Sequence, residues 1–128
     1  MSETGDTLGV EWIVEARGCD PSALRDPGTL GKLFDRMIEE LKLHEVRPSI
    51  WHVFPGAGGV TGMSLLAESH LTCHTFPEHG TLCLNLFCCR PREAWDFSSG
   101  LAEMVGAHDV SVRTIPRRYA PVAVAEAR

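Results

Sequence analysis

The middle of the chain alternates apolar and polar side chains with a period of two, and only short turns interrupt this pattern. The alternating stretches cover residues 61–67, 71–76 and 81–89. A period of two predicts β-strands, because successive side chains of a strand point to opposite faces of a sheet. The turns are too short for a crossover helix, so neighbouring strands are expected to pair antiparallel. The chain is therefore limited to folds built on an antiparallel sheet.

Two helices and three more strands are predicted around this central block. Alternation predicts strands at residues 10–16, 49–54 and 110–114, and apolar residues at helical spacing predict helices at residues 29–44 and 92–105. This order predicts one α+β domain over residues 1–128: a two-layer α/β sandwich with both helices on one face of the antiparallel sheet. Residues 1–8 are expected to be a disordered tail, and the segment from Pro116 onwards is expected to be frayed.

Composition and charge argue against several classes of protein. Of 128 residues, 44% are hydrophobic and 23% are charged, which is typical of a soluble globular domain. A net charge of −5 argues against nucleic acid as a partner, because such binders usually carry a basic face. No apolar run approaches the ~20 residues needed to span a membrane, and the acidic N-terminus lacks a signal-peptide pattern. The odd number of cysteines, five, predicts free thiols and a cytoplasmic protein.

Residues 65–78 concentrate groups that can attack, donate or accept protons. They include Ser69, His70, Cys73 and His74. A serine hydroxyl can attack the carbonyl carbon of the preceding residue and convert the amide into an ester. Elimination then breaks the ester, and hydrolysis of the resulting dehydroalanine leaves a pyruvoyl group on a new N-terminus. We therefore interpret the bond between Glu68 and Ser69 as one that the protein cuts in itself.

A known processing motif is similar to this stretch. The chain reads ESHLTCHTFPE over residues 68–78. It resembles the prokaryotic-type S-adenosylmethionine decarboxylases, small pyruvoyl-dependent enzymes of spermidine synthesis, whose motif reads Glu-Ser-His, three further residues, then His-Thr-Trp-Pro-Glu. The likeness extends from about Glu11 to Tyr119.

The resemblance implies an activity and a maturation step. Cleavage between Glu68 and Ser69 would give a β chain, 1–68, and an α chain, 69–128, headed by the pyruvoyl group. The processed protein would decarboxylate S-adenosylmethionine without a metal. It would act as a homodimer of processed protomers with active sites between the chains.

The resemblance also implies roles at the reaction centre. His74 matches the histidine that assists self-processing, and Thr61 stands where the family usually has a serine that helps. Cys89 matches the cysteine that donates a proton after a Schiff base between the pyruvoyl group and the substrate has lost CO₂. On a regular strand His74 shares a face with His70 and not with Ser69. A bend or a chain reversal is therefore expected to bring His74 to Ser69.

Four further residues match substrate-binding or acidic positions of the family: Phe54, Phe76, Glu15 and Glu78. The two phenylalanines are expected to stack on an adenine, whereas the roles of the two glutamates stay open. Three positions depart from the family pattern, since Phe76 replaces tryptophan, Asn85 replaces aspartate and Arg90 replaces glycine.

Two alternatives stay open. The altered pocket admits a pyruvoyl-dependent decarboxylase of ornithine or arginine on the same scaffold. A different class is an unprocessed paralogue that binds a metal or regulates an active subunit. Metal ligands are available at His70, Cys73, His74, His79, Cys83, Cys88 and Cys89, but no Cys-x-x-Cys pair is present. The simultaneous presence of Ser69, His74 and Cys89 argues against a regulatory paralogue.

Overall fold

The computed structural model describes residues 8–121 and contains one antiparallel sheet of six strands. Along the chain the strands are β1 (Leu8–Arg17), β2 (Ile50–Val53), β3 (Val60–Leu66), β4 (Ser69–Phe76), β5 (Thr81–Cys88) and β6 (Asp109–Arg118). Their order across the sheet is β2-β3-β4-β5-β1-β6. The central strands β3, β4 and β5 pair with their neighbours in the chain, which confirms the antiparallel arrangement predicted for them.

Three helices cover one face of the sheet. They are α1 (Pro21–Leu24), α2 (Pro27–Glu40) and α3 (Phe97–Val105). Asp26 begins α2 by accepting a hydrogen bond from the Gly28 N–H at 3.0 Å, and Pro27 follows in the first turn, where a missing N–H does no harm. The helix buries one apolar stripe: Leu30, Leu33, Phe34 and Met37.

The core lies between this helix layer and the sheet. Alternate side chains of β1, β4 and β5 point into it, and these are at most 2% exposed: Trp12, Val14, Leu71, Cys73, Leu82, Leu84 and Leu86. From α3, Phe97 and Leu101 pack against the same cluster. The two-layer α+β sandwich predicted from the sequence is confirmed.

Helix α2 is shorter than predicted. It ends at Glu40 and not near His44, because the chain reverses at Lys42, whose φ of 57° lies in the left-handed region. The Leu43 N–H then bonds back to the Ile38 carbonyl at 2.9 Å, which closes the helix end.

Helix α3 is also shorter than predicted. It begins at Phe97 and not at Arg92. Asp96 caps it, because its Oδ1 accepts a hydrogen bond from the Ser99 N–H at 3.1 Å. The preceding residues, 91–96, form an irregular connection from β5.

The ends of the sheet correct two expectations. β6 continues to Arg118, so the expected fraying from Pro116 is wrong for its first three residues. Pro116 lies opposite Val10 in an edge strand, where a residue without an N–H is tolerated. Leu8 already belongs to β1, and the rest of the two predicted tails, residues 1–7 and 122–128, lies outside the described residues.

The second face of the sheet carries no helix within residues 8–121. We call it the open face. Strand alternation places a set of exposed large apolar side chains on it: Ile50, Met63, Leu65, Phe76 and Ile115. Ile50 is 73% exposed, which is unusual for a β-branched residue in a strand.

Candidate active site

The predicted cleavage site lies at the tip of the β3–β4 hairpin. Leu66 pairs with Ser69, so Ala67 and Glu68 form a two-residue connection and Ser69 is the first residue of β4. The Ala67 N–H bonds to the His44 carbonyl at 2.8 Å, which braces the turn from outside the hairpin. Ser69 is only 9% exposed, because its side chain points toward the helix layer.

The carbonyl group before Ser69 is held by the end of β5. The Cys89 N–H donates a hydrogen bond to the Glu68 carbonyl oxygen, with an N···O distance of 2.8 Å. A donor at a carbonyl oxygen favours negative charge on that oxygen, as in an oxyanion hole. This bond is therefore aimed at the atom that becomes negative if the Glu68 carbonyl is attacked.

Cys88 lies beside Ser69 on the buried side. The two residues are register partners in the pairing of β4 with β5. Burial raises the pKa of Cys88, while the charge and hydrogen bond of Arg92 oppose this shift. Arg92 also donates from Nη1 to the Leu41 carbonyl at 2.6 Å. Sequence reasoning considered Cys88 only as a metal ligand and gave Arg92 no role, because the pairing of β4 with β5 is needed to bring Cys88 to Ser69.

A cavity of about 310 Å³ opens next to the hairpin. Its lining consists of Glu68, Phe87, Cys89, Arg90 and Tyr119. Cys89 directly follows β5 and lines this cavity together with Phe87, whereas Cys88 is buried. A thiol that can donate a proton therefore borders the same space as the predicted cleavage site.

Thr61 and His74 form a second centre. β3 and β4 pair these residues, and the Thr61 hydroxyl shares a hydrogen bond with His74 Nδ1 at 3.0 Å. Both side chains lie on the open face. A hydroxyl bonded to an imidazole is an arrangement that can hold or move a proton.

Most of the predicted substrate residues surround this second centre. A cavity of about 470 Å³ is lined in part by Phe54, Thr61, His74, Phe76 and Glu78. The Pro77–His79 turn brings Glu78 to its rim. Two aromatic rings, one carboxylate and an imidazole thus meet around a space large enough for a small molecule.

Glu15 lies one strand further on, outside that cavity. Its carboxylate forms an ion pair with Arg113 at 3.2 Å. With His74 and Cys83 it borders a smaller cavity of about 120 Å³. Glu15 is thus adjacent to the His74 centre but does not contact the aromatic pair.

The expected bend between Ser69 and His74 is absent. β4 is a continuous strand from Ser69 to Phe76, and each of its residues pairs with β5. His74 lies five positions along the strand from Ser69, which corresponds to a distance of about 17 Å. Their side chains also point to opposite faces, since Ser69 is buried and His74 is exposed. The predicted site residues of one chain therefore fall into two separate groups.

His70 stacks on Phe87, with ring centroids 5.5 Å apart. Glu11 and Arg117 were not recognised as partners at this end of the open face. Asn85 Nδ2 donates to Glu11 at 2.8 Å, and Arg117 pairs with the same carboxylate. The Asn85 bond is the main cause that lowers the pKa of Glu11; partial burial opposes it and Arg117 adds to it. The three residues come together only because β1 pairs with both β5 and β6, which are distant in the sequence.

The candidate metal ligands do not converge. Within residues 8–121, no group of three or more His, Cys, Asp or Glu side chains is arranged to hold a metal ion. Cys73 points into the core, where burial raises its pKa to about 12, whereas His70 and His74 are exposed on the open face. Across the same residues, no helix is long and apolar enough to cross a membrane.

The fold and the hairpin place the chain in a class of two-layer α+β proteins with a buried serine after a turn. The family model of S-adenosylmethionine decarboxylase matches residues 10–118. The S-adenosylmethionine decarboxylase proenzyme of Geobacillus kaustophilus is 35% identical over 124 residues, 96% of this chain and 98% of that protein. The proenzyme of Pyrococcus furiosus is 37% identical over 98 residues, 72% and 68% of the two chains. The chain belongs to the S-adenosylmethionine decarboxylase family, which confirms the resemblance found in the sequence.

A solved structure shares the fold. The crystal structure of the adenosylmethionine decarboxylase from Aquifex aeolicus superposes with a TM-score of 0.76. The two sequences are 22% identical, and the match covers 90% of this chain and 94% of the other. The antiparallel sheet with helices on one face is thus an architecture that this family member also has.

Proposed function

We propose that this chain is a self-cleaving, pyruvoyl-dependent decarboxylase of S-adenosylmethionine. Its product would be decarboxylated S-adenosylmethionine, the aminopropyl donor of spermidine synthesis, and it would act in the cytoplasm. The family membership supports the activity. The observation that carries the maturation step is the hydrogen bond from the Cys89 N–H to the Glu68 carbonyl, 2.8 Å, directly before Ser69.

Self-cleavage at this hairpin is a balanced reaction of the chain itself. Ser69 Oγ attacks the Glu68 carbonyl carbon, the C–N bond breaks, and the hydroxyl proton moves to the nitrogen, which gives an ester. Loss of the Ser69 Cα proton and of the Glu68 carboxylate then leaves dehydroalanine. Its tautomer takes up water and releases ammonia, so that chain 69–128 begins with a pyruvoyl group and chain 1–68 ends at Glu68. The Cys89 N–H stabilises the oxyanion of the first step.

Decarboxylation needs an electron sink and a proton donor. A pyruvoyl carbonyl at position 69 supplies the sink for the electrons of the departing carboxylate. Cys89 is suited to return a proton to the substrate carbon, because its thiol borders the cavity beside the hairpin. No metal ion is required for this chemistry.

Substrate binding is assigned to the cavity around His74. Phe54 and Phe76 present aromatic faces on which an adenine can stack, and Glu78 offers a carboxylate at the rim. An aromatic face also attracts a cation, and S-adenosylmethionine carries a sulfonium group. Glu15, beside His74 in the neighbouring cavity, adds negative charge at this end of the sheet.

The functional unit is proposed to be a homodimer formed through the open face. Exposed apolar residues of this kind on a sheet face are typical of an interaction surface. Two copies related by a two-fold axis would set the Thr61–His74 centre of one chain against the Ser69 hairpin of the other. This arrangement accounts for the separation of about 17 Å between the two groups within one chain.

The substrate is tested by measuring released CO₂. The purified protein is incubated in parallel with carboxyl-labelled S-adenosylmethionine, ornithine and arginine, and Ser69→Ala serves as the control. We expect release from S-adenosylmethionine alone, and none from any substrate with the variant. Release of CO₂ from ornithine or arginine only would show that the proposed substrate is wrong. Equal release of CO₂ by Ser69→Ala would refute the pyruvoyl chemistry.

A further inference from the structure

Two adjacent residues hold Glu68 from different directions. The Cys89 N–H bonds to the Glu68 backbone carbonyl at 2.8 Å, and Arg90 Nε lies 3.0 and 3.1 Å from the two carboxylate oxygens of the Glu68 side chain. The adjacent residues Cys89 and Arg90 therefore bind both the backbone and the side chain of Glu68. Rotation of the scissile peptide away from the Cys89 amide would require the Arg90 contact to change as well.

The contact between Arg90 and Glu68 can assist the elimination step of self-cleavage. The leaving group of the elimination is the α-carboxylate of Glu68, so a second negative charge develops on a residue whose side chain is already charged. Like charges on one residue repel each other, and a guanidinium next to them reduces that repulsion. Arg90 contacts the side-chain carboxylate of Glu68, next to the carbonyl group that becomes the departing carboxylate.

The exposure of the pair argues against a mainly structural role. The side chains of Arg90 and Glu68 are 64% and 50% exposed. Ion pairs this exposed contribute little to the free energy of unfolding, because solvent screens them. Loss of Arg90 is therefore expected to leave the fold intact, so that an effect on cleavage can be separated from an effect on stability.

We propose that Arg90 is a positioning residue for self-cleavage. It holds Glu68 so that the scissile carbonyl stays on the Cys89 amide, and it compensates the charge of the departing carboxylate. After cleavage the same contact keeps the new C-terminus of chain 1–68 beside Cys89. This inference rests on the self-cleavage proposed above and adds a residue to it.

The test follows cleavage of freshly made full-length chain. Wild type and the variants Arg90→Gln and Arg90→Lys are synthesised in a cell-free translation system, and the conversion into two fragments is timed on gels. Arg90→Gln is expected to cleave on the order of tenfold more slowly, because the scissile peptide is no longer held in place. Arg90→Lys, which keeps the charge but not the contact to both oxygens, is expected to lie between the two.

Trapping the ester separates the two effects of Arg90. Hydroxylamine cleaves an ester at Ser69 and leaves a hydroxamate on Glu68, which mass spectrometry detects. If charge compensation assists elimination, ester accumulates in Arg90→Gln relative to wild type. In a Glu68→Gln background the leaving carboxylate has no charged neighbour, so adding Arg90→Gln is expected to have a smaller effect on the rate.

The control is Arg36→Gln. Arg36 pairs with Glu40 and Glu103 in the helix layer, away from the hairpin, so its loss also removes an arginine ion pair. It is expected to cleave at the wild-type rate. The inference would be overturned if the wild-type chain is cleaved and Arg90→Gln is cleaved at the same rate. It would also be overturned if Arg90→Gln and Arg36→Gln are slowed equally. An uncleaved wild-type chain would instead overturn the proposed function itself.

Discussion

At the scale of single residues, Thr75 connects the helix layer to the sheet next to His74. Its hydroxyl donates to the Leu24 carbonyl at 2.7 Å and accepts from the Val60 N–H at 2.8 Å, and the residue is 4% exposed. Thr75→Val keeps the shape but leaves both backbone groups buried without this partner. We expect the free energy of unfolding, measured in urea, to fall by about 1–3 kcal/mol.

The control for Thr75 is Thr81→Val. The Thr81 hydroxyl makes one exposed bond, to the His79 carbonyl at 3.3 Å. Its loss is expected to change stability by less than about 0.5 kcal/mol. Equal stability of Thr75→Val and wild type would contradict the role assigned to the buried hydroxyl.

Asn85 is a second residue whose identity matters, because it donates to Glu11 at 2.8 Å. This bond lowers the pKa of Glu11. A carboxyl group with a lowered folded-state pKa stabilises the fold above its unfolded pKa, and this contribution is lost as the pH falls through the folded value. Asn85→Asp replaces the donor by a second carboxylate, so repulsion destabilises the variant wherever both groups are charged.

We expect Asn85→Asp to melt below wild type at neutral pH, with the gap closing as the pH falls toward about 4. At low pH, protonation of the carboxyl groups removes the repulsion in the variant. In wild type, protonation of Glu11 weakens its favourable hydrogen bond with Asn85. Thermal unfolding across this pH range measures the gap, and Glu11→Gln provides the background in which the pH dependence should shrink. A gap that is the same at every pH would contradict the account.

At the scale of elements, Trp51 links the edge strand β2 to the helix layer, while all four residues of β2 pair with β3. Trp51 packs on Phe34 of α2 with centroids 4.8 Å apart, and it lies directly over Gly62 of β3. A Cβ at position 62 would fall 2.1 Å from the ring, so Gly62→Ala must displace it. We expect a loss of about 1–3 kcal/mol in unfolding free energy, with faster amide exchange in β2 than in β5.

A matched glycine in α2 gives the opposite expectation. A Cβ at Gly31 would meet no atom within 4 Å. Gly31→Ala is therefore expected to stabilise the protein by about 0.5–1 kcal/mol, because alanine favours the helical backbone. Similar effects of Gly31→Ala and Gly62→Ala would show that the space under Trp51 is not the cause.

The elements show where sequence reasoning succeeds. Alternation is a local signal, so the strands of the central block were predicted close to their observed bounds. The end of α2 was not predicted correctly. It depends on the left-handed backbone conformation of Lys42, which the spacing of apolar residues does not indicate. The start of α3 depends on Asp96 serving as a cap, which the apolar pattern from Arg92 onwards concealed.

At the scale of the whole molecule, the residues named from the sequence motif lie in two groups at opposite ends of the sheet. Phe54, Phe76, Glu78, Thr61 and His74 converge on one cavity, as a common role requires. Ser69 and Cys89 lie at the other end of the sheet, because β4 runs straight between the two groups. Spacing along a chain carries no information on whether a second copy completes a site.

The proposed homodimer leads to a complementation experiment. Ser69→Ala lacks the nucleophile and His74→Ala lacks the imidazole, so neither is expected to be cleaved when made alone. The proposed dimer, formed from one chain of each variant, would set Ser69 of one chain against His74 of the other. Co-expression is therefore expected to restore cleavage of the His74→Ala chain only. Two full-length chains after co-expression, in protein shown by sedimentation to be a mixed dimer, would contradict a site shared between copies.

The central claim is that Ser69 is converted into the pyruvoyl group by cleavage of its own peptide bond. Intact-mass spectrometry of the purified wild-type protein tests it most directly. We predict two chains, 1–68 and 69–128, the second lighter than a serine-headed chain by one molecule of ammonia. A single species near 14.0 kDa, identical in behaviour to Ser69→Ala, would contradict the account.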